Sequence, residues 1–236
     1  MIRKIHQRAR TLLFINETKD WPYLGQVILL FLLVGFPIYG RSIIPNTVVA
    51  FDILFTIFIF YGILLLEKPS LLLLMAGIGA ILILLFRLTG EEALFPGISY
   101  WVLRAELVLP LIYFGLLGIR LVRDALAQPV SAKLLYISIA NYFTIGILFS
   151  FLFQFLHIND VNAFIFSPEL KYNYLYMSFI ILSTVGLGDL LPLSQAAKSA
   201  VMIESLSGQL YLTFFVAMIV GKYLNENSKK IPPTEV

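Results

Sequence analysis

Thr184-Val185-Gly186-Leu187-Gly188-Asp189 is the stretch whose residue types and spacing can do chemistry. It lies between two long apolar segments, so a chain that crosses a membrane there must dip in and come back. A metal cation leaves its water shell only where a set of oxygens takes its place, and carbonyls aimed at one axis supply them. Turning successive carbonyls to the same side needs backbone angles that a Cβ disfavours. Glycine visits them freely, and Gly186 and Gly188 fall where they are needed. The Thr184 hydroxyl adds a further oxygen at the inner end, and Asp189 closes the outer mouth with a carboxylate. A bare Gly-x-Gly-Asp would equally make a turn between two helices, so the flanking sequence has to separate the readings.

The flanks point to a membrane. Of 236 residues, 59% are hydrophobic and only 13% charged, and the mean hydropathy is +0.89, a composition expected of an all-α, multi-pass membrane protein. Cysteine is absent, which excludes disulfides and thiolate metal sites. His6 and His157 are too few and too distant for a metal site. No nucleophile–base pair and no His/Asp/Glu metal set appears, so no enzyme and no cofactor is expected. No nucleic acid partner is expected either.

The elements that must position the stretch follow in order. Residues 1–20 form a basic N-terminal segment, with Arg3, Lys4, Arg8 and Arg10, partly amphipathic through Leu12 to Ile15. It reads as a topogenic anchor on the membrane surface, and no cleavable signal is expected. Residues 21–129 hold four apolar spans, about Leu24–Tyr39, Thr47–Leu66, Leu71–Leu88 and Tyr100–Leu117. Asp52 interrupts the second, and Pro110 is a kink site in the fourth. A polar connection, Gly118 to Lys133, leads into residues 130–225. There a fifth span, about Leu134–Phe155, precedes a polar loop and the amphipathic run Tyr172–Ser183. Twelve helical residues reach about 18 Å, short of a hydrocarbon core of about 30 Å. That suits a re-entrant helix whose C-terminal end points into the membrane with partial negative charge, favouring a cation. A sixth span, about Ser194–Leu224, follows, and residues 226–236 make a short polar tail.

Lysine and arginine set the orientation. With the N-terminus inside, Arg3, Lys4, Arg8, Arg10, Lys19, Lys68, Arg120, Arg123, Lys133, Lys222, Lys229 and Lys230 are cytoplasmic. Arg41, Arg87, Lys171 and Lys198 are outside, and Arg104 is intramembrane. Both termini are therefore expected in the cytoplasm and Thr184–Asp189 in the outer half of the membrane.

The six-residue core resembles the selectivity filter of potassium channels, where the usual run is Thr-Val-Gly-Tyr/Phe-Gly-Asp. Five of six positions match. About ninety residues, Leu134 to Leu224, are similar to the pore domain of that superfamily: outer helix, loop, pore helix, filter, inner helix. The resemblance implies a homotetramer, because one chain supplies one pore loop and a filter needs four. Its partners are then three identical subunits and membrane lipids. It implies K+ held by Thr184, Val185, Gly186, Leu187 and Gly188, with Asp189 at the mouth. It also implies the plasma membrane, the inner membrane for bacterial members. Gly208, twenty residues after Gly188, stands at the spacing of the family's inner-helix hinge, and Glu204 fits a pattern common in bacterial members. Gly208 can equally be a close helix contact. Glu204, an intramembrane carboxylate, is expected to have a partner, through filter support or an inter-helix hydrogen bond.

Three departures matter. Leu187 replaces the aromatic residue whose ring packs behind the filter. It cannot donate a hydrogen bond, so a weakly selective cation channel of the same architecture is the alternative. Leucine does occur there in the second pore loop of some two-pore-domain channels. Tyr176 and Met177 replace a frequent tryptophan pair. Ile180 stands where some relatives carry a Glu that pairs with the filter Asp, which leaves Asp189 without that partner.

The first four spans resemble a voltage sensor in layout but not in charge. Gating work is about 2.3 kcal/mol per unit charge per 100 mV, and a sensor repeats its cations every third residue. From Arg104 that register reads Leu107, Pro110, Tyr113 and Leu116. Steep voltage gating is therefore not expected, and Arg104 is assigned to snorkelling or to pairing with Asp52, Glu91, Glu92 or Glu106. No nucleotide- or calcium-binding domain is expected in the twelve residues after Leu224. A secondary transporter would show two corresponding broken helices in inverted halves, and the sequence has one break and no repeat.

Overall fold

The computed structural model describes residues 21–43, 47–64, 77–79, 81, 85, 96–129, 131–166 and 173–228. The basic N-terminal segment and most of the third span lie outside the described residues. The elements are α1 (Trp21–Ile43), α2 (Thr47–Leu64), α3 (Pro96–Ala127), α4 (Ala132–Asn159), β1 (Phe164–Phe166), α5 (Tyr174–Leu182), β2 (Leu190–Pro192) and α6 (Gln195–Ser228). Among the described residues two helices, Lys133–Asn159 and Gln195–Asn225, are long and apolar enough to cross a membrane. Shorter apolar helical stretches run over Tyr23–Gly35 and Ile53–Gly62.

In α1 the buried positions are Gln26, Val27, Leu30 and Leu33, one face of a 3.6-residue period. The opposite face, Ile28, Phe31 and Leu32, is just as apolar and is exposed. A soluble protein would place charge there, whereas lipid accepts it as it is. Val27, Leu30 and Leu33 pack with Phe58 of α2, Phe114 and Leu117 of α3, and Ile137 of α4 into one core. Phe114 stacks between Phe58, at 5.8 Å, and Phe151, at 6.1 Å.

α3 differs from the sequence reading. The expected span ended at Leu117, with a polar connection to Lys133, but the helix continues for three more turns to Ala127. Arg120, Arg123 and Asp124 ride on it. A helix leaving the membrane gains polar residues without having to stop, and what stops it is Pro129 two residues beyond its end. Pro110 lies inside α3 without ending it. Ser131 then caps α4, its hydroxyl accepting from Leu134 N at 3.3 Å.

The chain is mostly helical, and beside its helices it has one short ribbon: β1 pairs antiparallel with β2, with Phe164 opposite Pro192, Ile165 opposite Leu191 and Phe166 opposite Leu190. This ribbon joins the segment before α5 to the segment after the Gly-rich stretch. Leu193 N donates to Ala163 O at 2.8 Å and extends it by one bond. A second core forms beneath the ribbon from Phe149 and Phe153 of α4, Phe164, Met177 of α5, and Ala197 and Ala200 of α6.

Candidate functional site: the Gly-rich pore loop

α5 is the platform. Asn173 caps it, the side-chain oxygen accepting from Tyr176 N at 3.1 Å. Its nine residues reach about 13 Å, too short to cross a hydrocarbon core of about 30 Å. Two neighbours hold it. From α4, the Tyr142 hydroxyl donates to Leu182 O at 3.2 Å, and Gly146 lies so close that a Cβ there would sit 2.8 Å from the Phe179 ring. From α6, Glu204 is hydrogen-bonded to Ser178, which also bonds Gly146 O at 2.6 Å. The buried positions of α6 near α5 are Ala197, Ala200, Glu204 and Gly208, a stripe of mostly small residues that lets two helices approach closely. At Gly208 a Cβ would meet Leu182 O at 2.7 Å. Gly208 therefore makes a close contact with the end of α5, and α6 runs unbroken through it.

α5 ends in a Schellman motif. Thr184 N donates to Ile181 O and Val185 N to Ile180 O, both at 2.9 Å. That motif places its first post-helical residue in the left-handed region, which normally selects glycine. Here it is Thr184, with φ +63°, the one described non-glycine residue with positive φ. A β-branched residue in this region is a true outlier and costs about 1–2 kcal/mol. Strain of this kind collects at functional positions, and what threonine offers that glycine does not is a hydroxyl.

The left-handed backbone repeats. Gly186 has φ +49° and Gly188 φ +76°, so positive values fall at 184, 186 and 188. Positive φ at every second residue undoes the alternation of an ordinary strand and brings N–H groups to one side and C=O groups to the other. The N–H groups of Thr184, Val185 and Gly186 all turn back to carbonyls of α5, at 2.9–3.0 Å. Residues 183–188 are all exposed in the single chain.

The far end of the loop is held by a side chain other than the Glu of some relatives. Asp189 is not without a partner: the Tyr176 hydroxyl donates to its Oδ2 at 2.8 Å. Tyr176, at one of the two positions of the absent tryptophan pair, reaches across from the first turn of α5 to make this bond. Asp189 is then followed directly by β2, so the ribbon and the phenol fix this end together. Replacing Tyr176 by Phe keeps the ring and deletes the bond, worth about 1.5–3 kcal/mol for a charged acceptor. The expected result is conduction that decays about tenfold faster during sustained single-channel recording. An unchanged lifetime would mean the bond has no bearing on the loop.

Residues 141–225 match the family model described as ion channel. This match, over little more than a third of the chain, supports an ion-channel domain of potassium-channel type. The channel domain starts within α4, covers α5 and the Gly-rich loop, and ends near the C-terminal end of α6. No curated protein and no solved structure matches the chain.

One contact of the channel domain escaped the sequence reading, which counted Lys222 only as a cytoplasmic charge. Its Nζ donates to Ala125 O at 3.1 Å and Leu126 O at 3.0 Å, and also to Gln128 O. A cation on the last carbonyls of α3 satisfies acceptors that the helix leaves open, and ties α6 to α3. Lys222→Met retains the stem and removes the donors. Amide exchange in the last turn of α3 is expected to quicken by roughly tenfold, the equivalent of about 1.4 kcal/mol; unchanged exchange would show that the ammonium contributes nothing there. Arg104 is half-buried in α3, while the side chains of Asp52, Glu91, Glu92 and Glu106, named above as its partners, lie outside the described residues.

Proposed function

We propose that four copies of this chain form a central pore that conducts K+ passively, with Thr184, Val185, Gly186 and Leu187 carbonyls and the Thr184 hydroxyl replacing the ion's water. The observation that carries the reading is the positive φ at Thr184, Gly186 and Gly188, with the N–H groups of 184–186 already bonded to α5. One chain supplies one such loop, and a loop open on one side does not enclose an ion. The exposure of Val185 and Leu187, 58% and 64%, is what a fourfold axis would remove. The exposed face of α6, with Met202, Leu206, Leu210 and Phe214, offers apolar area to neighbouring subunits and lipid. Gly188 and Asp189 form the outer mouth.

In this reading the subunit has six spans, both termini are cytoplasmic, and the protein sits in the plasma membrane, the bacterial inner membrane by analogy with the members it resembles. The four-helix region is a peripheral scaffold and not a voltage sensor, since α3 has no third-residue run of cations around Arg104. The second reading is a weakly selective monovalent cation channel. It is favoured by Leu187, which brings no ring to brace the loop from behind.

Bi-ionic reversal potentials in planar bilayers separate the two. With K+ on one side and Na+ on the other, a K+-selective pore gives a reversal potential near the K+ limit. A value near zero would leave the second reading. Barium, close to K+ in size, is expected to block the first.

A further inference from the structure

Behind the loop, Glu204 is completely buried on α6. Ser178 Oγ is hydrogen-bonded both to Gly146 O, at 2.6 Å, and to Glu204 Oε1. We propose that Glu204 is a proton-binding site: it is held as a neutral carboxylic acid whose proton is the pin between α6 and α5.

Counting hydrogens carries the argument. A serine hydroxyl has one hydrogen and can accept two more. The Gly146 carbonyl can only accept, so the Ser178 hydrogen is used in that bond. The bond to Glu204 then needs a hydrogen from the carboxyl. If Glu204 were ionised, Ser178 would have to donate to it, and two oxygens, Ser178 Oγ and Gly146 O, would face each other at 2.6 Å with no hydrogen between them.

The charges around the site agree. α5 presents Ser178, α4 presents Gly146 and the Tyr142 phenol, and the nearest basic residue along α6, Lys198, is six residues away and exposed. Among the described residues Glu204 Oε2 has no hydrogen-bond partner. An ionised carboxylate in such a place is costly unless paired and fully hydrogen-bonded, and the ordinary escape is to take a proton. The neutral acid donates one bond to Ser178 and leaves a carbonyl oxygen that tolerates burial better than an anion does. Ser178 relays the link to α4, so one proton joins three helices directly behind the end of α5. Its loss would place a negative charge there and delete the bond.

Infrared difference spectroscopy on reconstituted protein at neutral pH tests this. Subtracting Glu204→Gln from the wild type is expected to leave a carboxylic-acid C=O band. Gln also supplies a neutral donor, so this variant is expected to assemble as the wild type does. Subtracting Ser178→Ala from the wild type is expected to show the same band moved to higher frequency, because the acid has lost its acceptor. Carboxylate bands in place of the acid band, a band unmoved by Ser178→Ala, or failure of the Gln variant to assemble would each overturn the proposal.

Discussion

Replacing Gly186 with alanine is expected to abolish ion current while leaving the protein assembled in the membrane. The reason is conformational and not one of crowding. Nothing lies within 4 Å of a Cβ built at Gly186, but its φ is +49°. An L-residue costs about 1–2 kcal/mol there, and in the proposed ring of four every subunit carries the change, so about 4–8 kcal/mol accumulates. The nearest escape is for the backbone to turn to negative φ, which swings the neighbouring carbonyls off the shared side. The helices and their cores do not depend on that turn, so assembly survives. Current at the wild-type level, measured with equal protein in bilayers, would refute the role given to this backbone.

The second large effect is expected at Gly208, where Ala should weaken assembly as well as current. Here the obstacle is contact: the added methyl carbon would lie 2.7 Å from Leu182 O and 2.9 Å from Leu182 Cδ1. The carbonyl is backbone at the end of α5 and also accepts from Tyr142, so it cannot simply turn away. Overpacking of this kind costs about 1–3 kcal/mol per site, and it pushes α6 from the platform that carries the loop. Gly221 is the control, since a Cβ there meets nothing within 4 Å, and Gly221→Ala is expected to gain about 0.5–1 kcal/mol of helix stability. Size-exclusion profiles of the two variants in detergent distinguish the cases. A hinge at Gly208 predicts normal assembly with altered opening, whereas the close contact predicts fewer assembled particles.

The loop and its platform were legible in the sequence because both depend on residue type at fixed spacing. Gly186 and Gly188 announce two of the three left-handed positions, and the shortness of the run before them announces a helix that enters without crossing. Thr184 was legible as a hydroxyl but not as a strained residue. A β-branched side chain argues against positive φ, and only the Schellman bonds to Ile180 and Ile181 override it. A buried carboxylate at Glu204 needs a partner, but which one depends on how α5 and α6 cross, and Ser178 has no signal of its own. Tyr176 stands out in the sequence for the tryptophan it replaces, while its reach to Asp189 depends on where the loop ends. β1 and β2 were missed because three-residue strands are too short for a period. Their pairing is decided by the return of the chain, not by local preference. In α1 the exposed face is as apolar as the buried one and the polar Gln26 is buried, so hydropathy does not pick the buried face and packing decides it.

The most direct test of the account is anomalous scattering from the assembled protein crystallised with Rb+ or Tl+, each a stand-in for K+. The account predicts four subunits around one axis, with ion peaks on that axis between the carbonyls of Thr184, Val185, Gly186 and Leu187. Peaks away from the axis, or an assembly in which the Thr184–Asp189 loops do not meet at its centre, would contradict it.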